Sequence, residues 1–216
     1  MILHTAPQGS PEWHQARAGC ITGSMFVTAR QRLKSGPSKG DYTAAAKDYA
    51  FRLAVERIGG APLDEGFETW AMKRGHELEP AARAEHEVAI GVLVQPVGFV
   101  TTDDGKFGAS ADGFIGTDGG AEYKCLVSPE RLRSVILTGD LSEFTDQMQG
   151  GMWITGRKWW DFGLYCPALA LIGRQFTHYR MMRDDNYIDA LELDLIAFER
   201  LVSENEAALR NFKEAA

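Results

Sequence analysis

The chain is 216 residues long, 44% hydrophobic and carries a net charge of −7. That length buries a full core as one domain, read here as a single unit over residues 1–216. No apolar run reaches membrane-spanning length, and the opening MILHTAPQGSPEW lacks the basic and apolar regions of a signal peptide, so a cytoplasmic protein without membrane association is expected. Cys20, Cys125 and Cys166 are scattered and odd in number; they fit a reducing compartment and cannot make a four-cysteine zinc or iron–sulfur site. The acidity is concentrated at one end. Residues 184–216 hold nine acids and three bases, a net −6, and leave the rest of the chain near neutral. Local basic clusters (Arg30, Arg32, Lys34 and Lys39; Arg131 and Arg133; Arg157 and Lys158) are either solvated surface or part of a channel lined for phosphates.

In chain order, Ser10 caps a short helix with Pro11 in its first position, Gly19 ends it, and Thr22 caps a second helix starting at Gly23. Arg17 and Ser24 near that second N-terminus make an anion site, or two capped helices with an incidental arginine. Residues 31–41 form a Gly/Pro/Ser/Lys loop, and Tyr42 to Ile58 a helix stopped by Gly59, Gly60 and Pro62. A further helix covers Phe67 to Ala89, kinked or restarted at Pro80, with Glu79 on the face of Gly75 and Arg83; Gly75 there suits close packing. Val92 to Thr101 reads as a strand, at an edge because of Pro96. Helices are expected over Pro129 to Leu137, capped by Ser128, and Ser142 to Ile154, where Gln147 and Gln149 either lie on the surface or touch phosphate or water. Trp159 to Cys166 and Phe176 to Met182 alternate like strands, with Trp153, Trp159 and Trp160 in the core. Asn186 to Phe212 is a long amphipathic helix whose apolar stripe is expected to pack across the sheet.

The stretch KFGASADGFIGTDGGAEYKC, Lys106 to Cys125, carries the chemistry. Its two runs, Phe107 to Ala111 and Ala121 to Cys125, flank a glycine-rich turn and read as a hairpin or adjacent strands. Strand alternation puts Glu122 and Lys124 on one face and Tyr123 on the other. With Asp112 at the end of the neighbouring strand, two carboxylates and an ammonium converge. Two hard oxygen donors suit Mg²⁺ or Mn²⁺, and a lysine beside such an ion orients or deprotonates water. The pattern is that of metal-assisted phosphodiester hydrolysis; as a triplet alone it also fits a surface hairpin with ordinary charges.

Five segments, GSPEWHQARAGCITGS, RGHELEP, GASADG, GAEYKC and QMQGGMWIT, stand in the order and spacing of the YqaJ-type viral recombinase nucleases, the phage lambda exonuclease family, which the chain resembles over about four-fifths of its length. The resemblance implies an α/β (mixed α+β) fold, the restriction-endonuclease-like PD-(D/E)xK core with a central mixed sheet flanked by helices. It implies that Asp112 and Glu122 ligate metal, that Lys124 is the catalytic lysine, and that Tyr123 offers its backbone carbonyl, so that its side chain matters little. Glu79 matches a helix-borne glutamate that ligates metal or water. Arg17, Ser24 and Ser110 match a pocket for a terminal 5′-phosphate. Gln147 matches an active-site glutamine, with Gln149 the neighbouring alternative. Implied too are a Mg²⁺ (or Mn²⁺) two-metal site, duplex DNA ends as substrate, a 5′-to-3′ exonuclease leaving 3′ single-stranded tails, a ring-shaped homotrimer and a single-strand annealing partner. Alanine stands in place of the motif proline at Ala111, and the region between Lys124 and Gln147 shows little similarity. The alternatives are a PD-(D/E)xK endonuclease and a catalytically silent nucleic-acid-binding subunit.

Overall fold

The computed structural model of the protein describes residues 1–63 and 69–212. The helices follow their punctuation. Helix α1 (Pro11–Arg17) is capped by Ser10, whose hydroxyl accepts from the Trp13 N–H. Helix α3 (Ala44–Gly59) is capped by Thr43 and closed by Gly60 at φ 66°, a left-handed geometry that glycine adopts without strain. Helix α4 (Trp70–Ile90) is capped by Thr69 and runs unbroken through Pro80; the expected start at Phe67 lies outside the described residues. Among the described residues no atom lies within 4 Å of the position a Cβ would take at Gly75, so they do not pack closely on it. Thr22 makes no side-chain capping bond; a single 3₁₀ turn, Gly23–Met25, leads into the short α2 (Phe26–Ala29). Helix α5 (Pro129–Arg133) continues into one π-type turn, Ser134–Thr138, and α6 (Thr145–Thr155) and α7 (Asp185–Arg210) follow.

As expected the fold is mixed sheet flanked by helices; among the described residues the strands form two mixed four-stranded sheets. The first has the order β1 (Ile2–His4), β3 (Phe99–Thr101), β4 (Phe107–Ser110), β2 (Ile21–Thr22); the second runs β5 (Gly113–Ile115), β6 (Gly119–Lys124), β7 (Trp159–Tyr165), β8 (Phe176–Met182). Two expectations change. The hairpin partner of β6 is β5, because the chain leaves the first sheet after Ser110 and enters the second at Gly113. The expected strand from Val92 is split by Pro96: Gln95 exchanges both backbone hydrogen bonds with Phe114 beside β5, at 2.9 and 2.8 Å, while Phe99–Thr101 pairs with β4. The segment therefore serves both sheets, and β3 is internal, flanked by the N-terminal β1.

Alternation along β6 and β7 sorts side chains onto two faces. Trp160, Phe162 and Leu164 join Met148 and Met152 of α6, while Ala121 and Tyr123 join Ala82 of α4. Trp160 is core, as expected; Trp153 and Trp159 are only half-buried. Helix α7 packs its stripe, Leu191, Leu195, Phe198 and Val202, mainly against α3, with Phe198 stacked on Tyr49 at 5.5 Å; Phe212 lies beyond the helix and is exposed.

Gly150 of α6 lies under the ring of Phe26, and a Cβ there would sit 2.3 Å from a ring carbon. Alanine favours a helix interior by roughly 1 kcal/mol over glycine, but both partners are in the core, so the clash decides the sign. Gly150→Ala is expected to destabilise the fold by about 1–3 kcal/mol, the usual cost of overpacking, measured as a lowered midpoint in chemical denaturation.

Candidate active site

The carboxylates converge where the two sheets meet. Asp112 sits in the two-residue step between β4 and β5; its N–H donates to the Ala121 carbonyl at 3.0 Å, and its Oδ2 accepts from the Tyr123 N–H at 2.5 Å. Glu122, one position along on β6, is only 3% exposed and points to the opposite face from Tyr123. Its Oε1 accepts from Lys124 Nζ at 2.6 Å and from Gln147 Nε2 at 2.7 Å, so α6 closes the site from above. A strand residue directs its N–H and C=O to the same side, and the Tyr123 carbonyl therefore faces the Asp112 side with its N–H. Glu79 arrives from α4, whose first turns pass the end of β6: Arg74 donates to the Cys125 carbonyl at 3.1 Å. The Glu79 carboxylate is held by Arg83 one turn on, at 2.5 Å.

The charges are strained. Burial, then Glu122 and Glu79, push the Asp112 carboxyl well above its ordinary value. Glu79 is raised by burial, with Arg83 pulling it back and Glu122 adding to the rise. Burial works against the Lys124 ammonium, but Glu122 and Asp112 more than offset it and its pKa is raised, leaving the lysine protonated. Three carboxylates against the Lys124 ammonium and the Arg83 guanidinium leave the cluster one positive charge short. Among the described residues no three His, Cys, Asp or Glu side chains are grouped as a ready metal site; Glu122 is turned toward Lys124 and Gln147. The donors themselves are hard oxygens with a charge deficit that a small divalent cation relieves, so the residue set fits Mg²⁺ or Mn²⁺.

A second group lies at the start of the same step. Arg17 donates to Ser110 Oγ at 2.9 Å, two residues before Asp112, and its guanidinium covers the Trp13 ring at 4.2 Å. Burial lowers its pKa, and among the described residues no carboxylate forms an ion pair with it. Gly23 packs on Gln147 and on the Gly108 carbonyl, which brings the 3₁₀ turn to the site; Ser24 itself is exposed and makes no hydrogen bond to Arg17 or Ser110. Gln149 is not brought to the cluster. Its amide donates to the Met182 carbonyl at 2.9 Å and accepts from the Asp184 N–H at 3.0 Å, which ties α6 to the β8–α7 turn. Of the two glutamines, Gln147 is the one at the carboxylates. Several of the basic residues are committed internally: Arg30 to Asp146 and Asp194, Arg131 to Glu143, Lys158 to Asp118.

Sequence reasoning passed over the side chain of Tyr123. Its hydroxyl is 2.9 Å from His86 Nδ1, and His86 Nε2 is 3.2 Å from Asp161 Oδ2, on the far side of the sheet from Glu122. The signal was available. Asp161 is an acid at an apolar-face position of a strand, WWDFGLY, and such a residue is buried with partners or not at all.

Fold and site together define a PD-(D/E)xK-type architecture: mixed sheets flanked by helices, with Asp112, Glu122 and Lys124 at the ends of paired strands. The chain belongs to the YqaJ-like viral recombinase domain family, whose model matches residues 12–158. It is 32% identical to an alkaline exonuclease (LHK-Exo) from Laribacter hongkongensis, over 93% of this chain and 97% of that one, with a TM-score of 0.78. The complex of LHK-Exo with dAMP gives a TM-score of 0.80 over the same shares and at the same identity. A phage-related exonuclease from Haemophilus somnus 129PT shares the fold at 17% identity, with a TM-score of 0.67 over 88% of this chain and 96% of that one. No curated protein matches. Among the described residues no helix is long and apolar enough to cross a membrane.

The raised carboxyls have a consequence for stability. With Asp112 and Glu79 titrating above their unfolded values, the metal-free folded protein binds more protons than the unfolded chain, so stability falls as pH rises through that window. Asp112→Asn keeps an acceptor for the Tyr123 N–H and removes the charge. It is expected to raise the metal-free melting temperature near neutral pH by about 2–4 °C, the shift for roughly 1 kcal/mol in a chain of this size, and to flatten its decline toward alkaline pH. Calorimetric melts across pH check both.

Proposed function

We propose that this protein is a metal-dependent deoxyribonuclease, acting as a single nuclease domain over residues 1–216, that degrades the 5′ strand of linear duplex DNA from its ends, releases 5′-mononucleotides and leaves 3′ single-stranded tails for recombination by strand annealing. The observation that carries the reading is the Asp112–Glu122–Lys124 cluster at the strand ends, with Gln147 on Glu122 at 2.7 Å. Asp112, Glu122, the Tyr123 carbonyl and Glu79 would hold Mg²⁺ or Mn²⁺, in a two-metal arrangement. When bound, such an ion stabilises charge developing on the phosphate and lowers the pKa of coordinated water. The chain's own groups do the rest. Lys124, kept protonated between Glu122 and Asp112, orients the attacking water and donates to the phosphate oxygens. Gln147 fixes the Glu122 rotamer. Arg17, with Ser110 and the turn at Ser24, receives the terminal 5′-phosphate; a half-buried guanidinium with no carboxylate ion pair among the described residues is suited to a doubly charged end over a singly charged internal phosphodiester. Holding that end beside Asp112 sets the direction of travel. By resemblance to the viral recombinase nucleases, the reading extends to a ring-shaped homotrimer around DNA, a single-strand annealing partner, and the cytoplasm of a bacterium or of a phage-infected cell. Sequence similarity to LHK-Exo, an alkaline exonuclease, supports the exonuclease over a structure-specific endonuclease or a silent binding subunit.

Linear and covalently closed circular duplexes separate these readings. The wild type is expected to degrade only the linear form with Mg²⁺ present, and Asp112→Ala, Glu122→Ala and Lys124→Ala to lose cleavage while remaining folded. Nicking of the circle would assign an endonuclease, and full Mg²⁺-dependent activity in Asp112→Ala would remove the site.

The end pocket is tested separately. Initial rates on 5′-phosphorylated ends are expected to exceed those on 5′-hydroxyl ends. Arg17→Ala should erase most of that preference, at a cost on the order of 1.5–3 kcal/mol for a charge-assisted hydrogen bond. Equal wild-type rates on the two ends would move the pocket elsewhere.

A further inference from the structure

Helix α4 is long but poorly anchored by apolar contacts. Of its 21 residues only Ala82 and His86 are buried, while Trp70, Met72 and Val88 are exposed. Yet it must deliver Glu79 to within electrostatic reach of Asp112. A helix whose one buried apolar side chain is an alanine can slide or rotate along a sheet at little cost, because apolar contact has no direction. The directional contact that is fully buried is His86, with Nδ1 2.9 Å from the Tyr123 hydroxyl and Nε2 3.2 Å from Asp161 Oδ2. Asp161, also fully buried, is gripped by Arg180 through both oxygens at 2.7 and 2.8 Å. That grip makes Asp161 an acceptor, so the imidazole Nε2 carries the proton and donates to it, and Nδ1 accepts from Tyr123. Arg74 on the Cys125 carbonyl and Glu85 with Gln175 tie the helix down at its margins.

We propose that the Tyr123–His86–Asp161 chain is the positioning device of the candidate site. It locks α4, and with it Glu79, to the strand that carries Glu122 and Lys124. The lock attaches at Tyr123, the residue whose backbone N–H holds Asp112. One tyrosine thereby connects three of the carboxylates' supports: its main chain to Asp112, its neighbours Glu122 and Lys124, and its side chain to the helix of Glu79. His86 lies seven residues beyond Glu79, two turns along nearly the same helical face, so a bond fixing His86 in rotation also fixes Glu79. A buried polar chain of this kind has one fully satisfied arrangement, and any slip of the helix leaves a donor or acceptor unpaired. These residues act through Glu79 and touch no substrate. The proposal rests on the metal-dependent nuclease reading above.

The test is a double-mutant cycle between Tyr123→Phe, which removes one oxygen, and Glu79→Gln, read as Mn²⁺ affinity of the DNA-free protein by calorimetry, with cleavage rate alongside. Tyr123→Phe is expected to weaken Mn²⁺ binding on the order of 10-fold, as loss of an outer partner does at metal sites, and His86→Gln, whose amide N–H can still reach Asp161 but whose oxygen is displaced from the Nδ1 position that accepts from Tyr123, to reproduce it. In the Glu79→Gln background the same changes should have no further effect. An equal loss in both backgrounds would mean general loosening of the fold, and no loss in either would mean α4 is placed by other contacts; each overturns the proposal. His86→Gln carries the cycle if Tyr123→Phe does not fold. A wild type that cleaves DNA without divalent cations removes the nuclease reading and the proposal together, whereas a divalent-dependent wild type with an additive cycle removes the proposal alone.

Discussion

Glu122 is a carboxylate near the end of an internal strand, 3% exposed, and much of the structure around it serves to keep that charge there. A buried ion costs several kcal/mol unless its partners are close and well aligned. Lys124 supplies the countercharge from the same strand face, and Gln147 supplies a neutral donor from the helix packed over that face. This pairing fixes which face of β6 meets α6 and why that helix presents a glutamine there. It also explains the small residues nearby: Gly23 allows the turn after β2 to approach Gln147, and Gly150 and Gly151 bring α6 close to Phe26 and Trp160.

The opposite face of the same strand is polar too, for a different reason. There the charges are matched: the buried Asp161 is paired with Arg180, whose side chain is exposed, and His86 is buried between Asp161 and Tyr123. The carboxylate face has the reverse balance, with Asp112 and Glu79 raised by burial and by each other's neighbour Glu122. One side of the sheet is therefore electrostatically complete and the other carries an excess of negative charge. The complete side has no charge left to balance; the excess on the other is of the sign that a cation relieves.

The two-sheet arrangement gives the site its shape. Asp112 belongs to neither sheet. It occupies the step between them, so its carboxylate is free of the strand ladder and turns back onto the Tyr123 N–H. Ser110, the last residue of β4, points at Arg17 from the first sheet, while Glu122 and Lys124 belong to the second. The Arg17–Ser110 pair and the Glu122–Lys124 pair are anchored on different sheets and come together because the chain crosses between them in two residues.

The sequence by itself determined the elements whose signals are local. Caps at Ser10 and Ser128, the left-handed glycine stop at Gly60, the strands β7 and β8 and the apolar stripe of α7 from Ile188 to Val202 depend on a few neighbouring residues, and all are present. The facing of Glu122 with Lys124 followed from strand periodicity alone, and the order of five short segments placed the family. What only the tertiary structure decided depends on partners distant in sequence. β1 is three exposed-to-half-buried residues with no pattern of its own, and exists because β3 offers an edge. Pro96 marks a break, but which sheet receives each half of the segment depends on Phe114. Gln147 and Gln149 are two residues apart on one helix, 200° of rotation, so one reaches Glu122 and the other the Met182 carbonyl; the choice lies in how α6 is rolled against the sheet, which no local pattern encodes. Tyr123 is the same case: strand alternation sends its side chain away from the carboxylates, but the histidine and aspartate that receive it come from a helix and a strand 37 and 38 residues away along the chain.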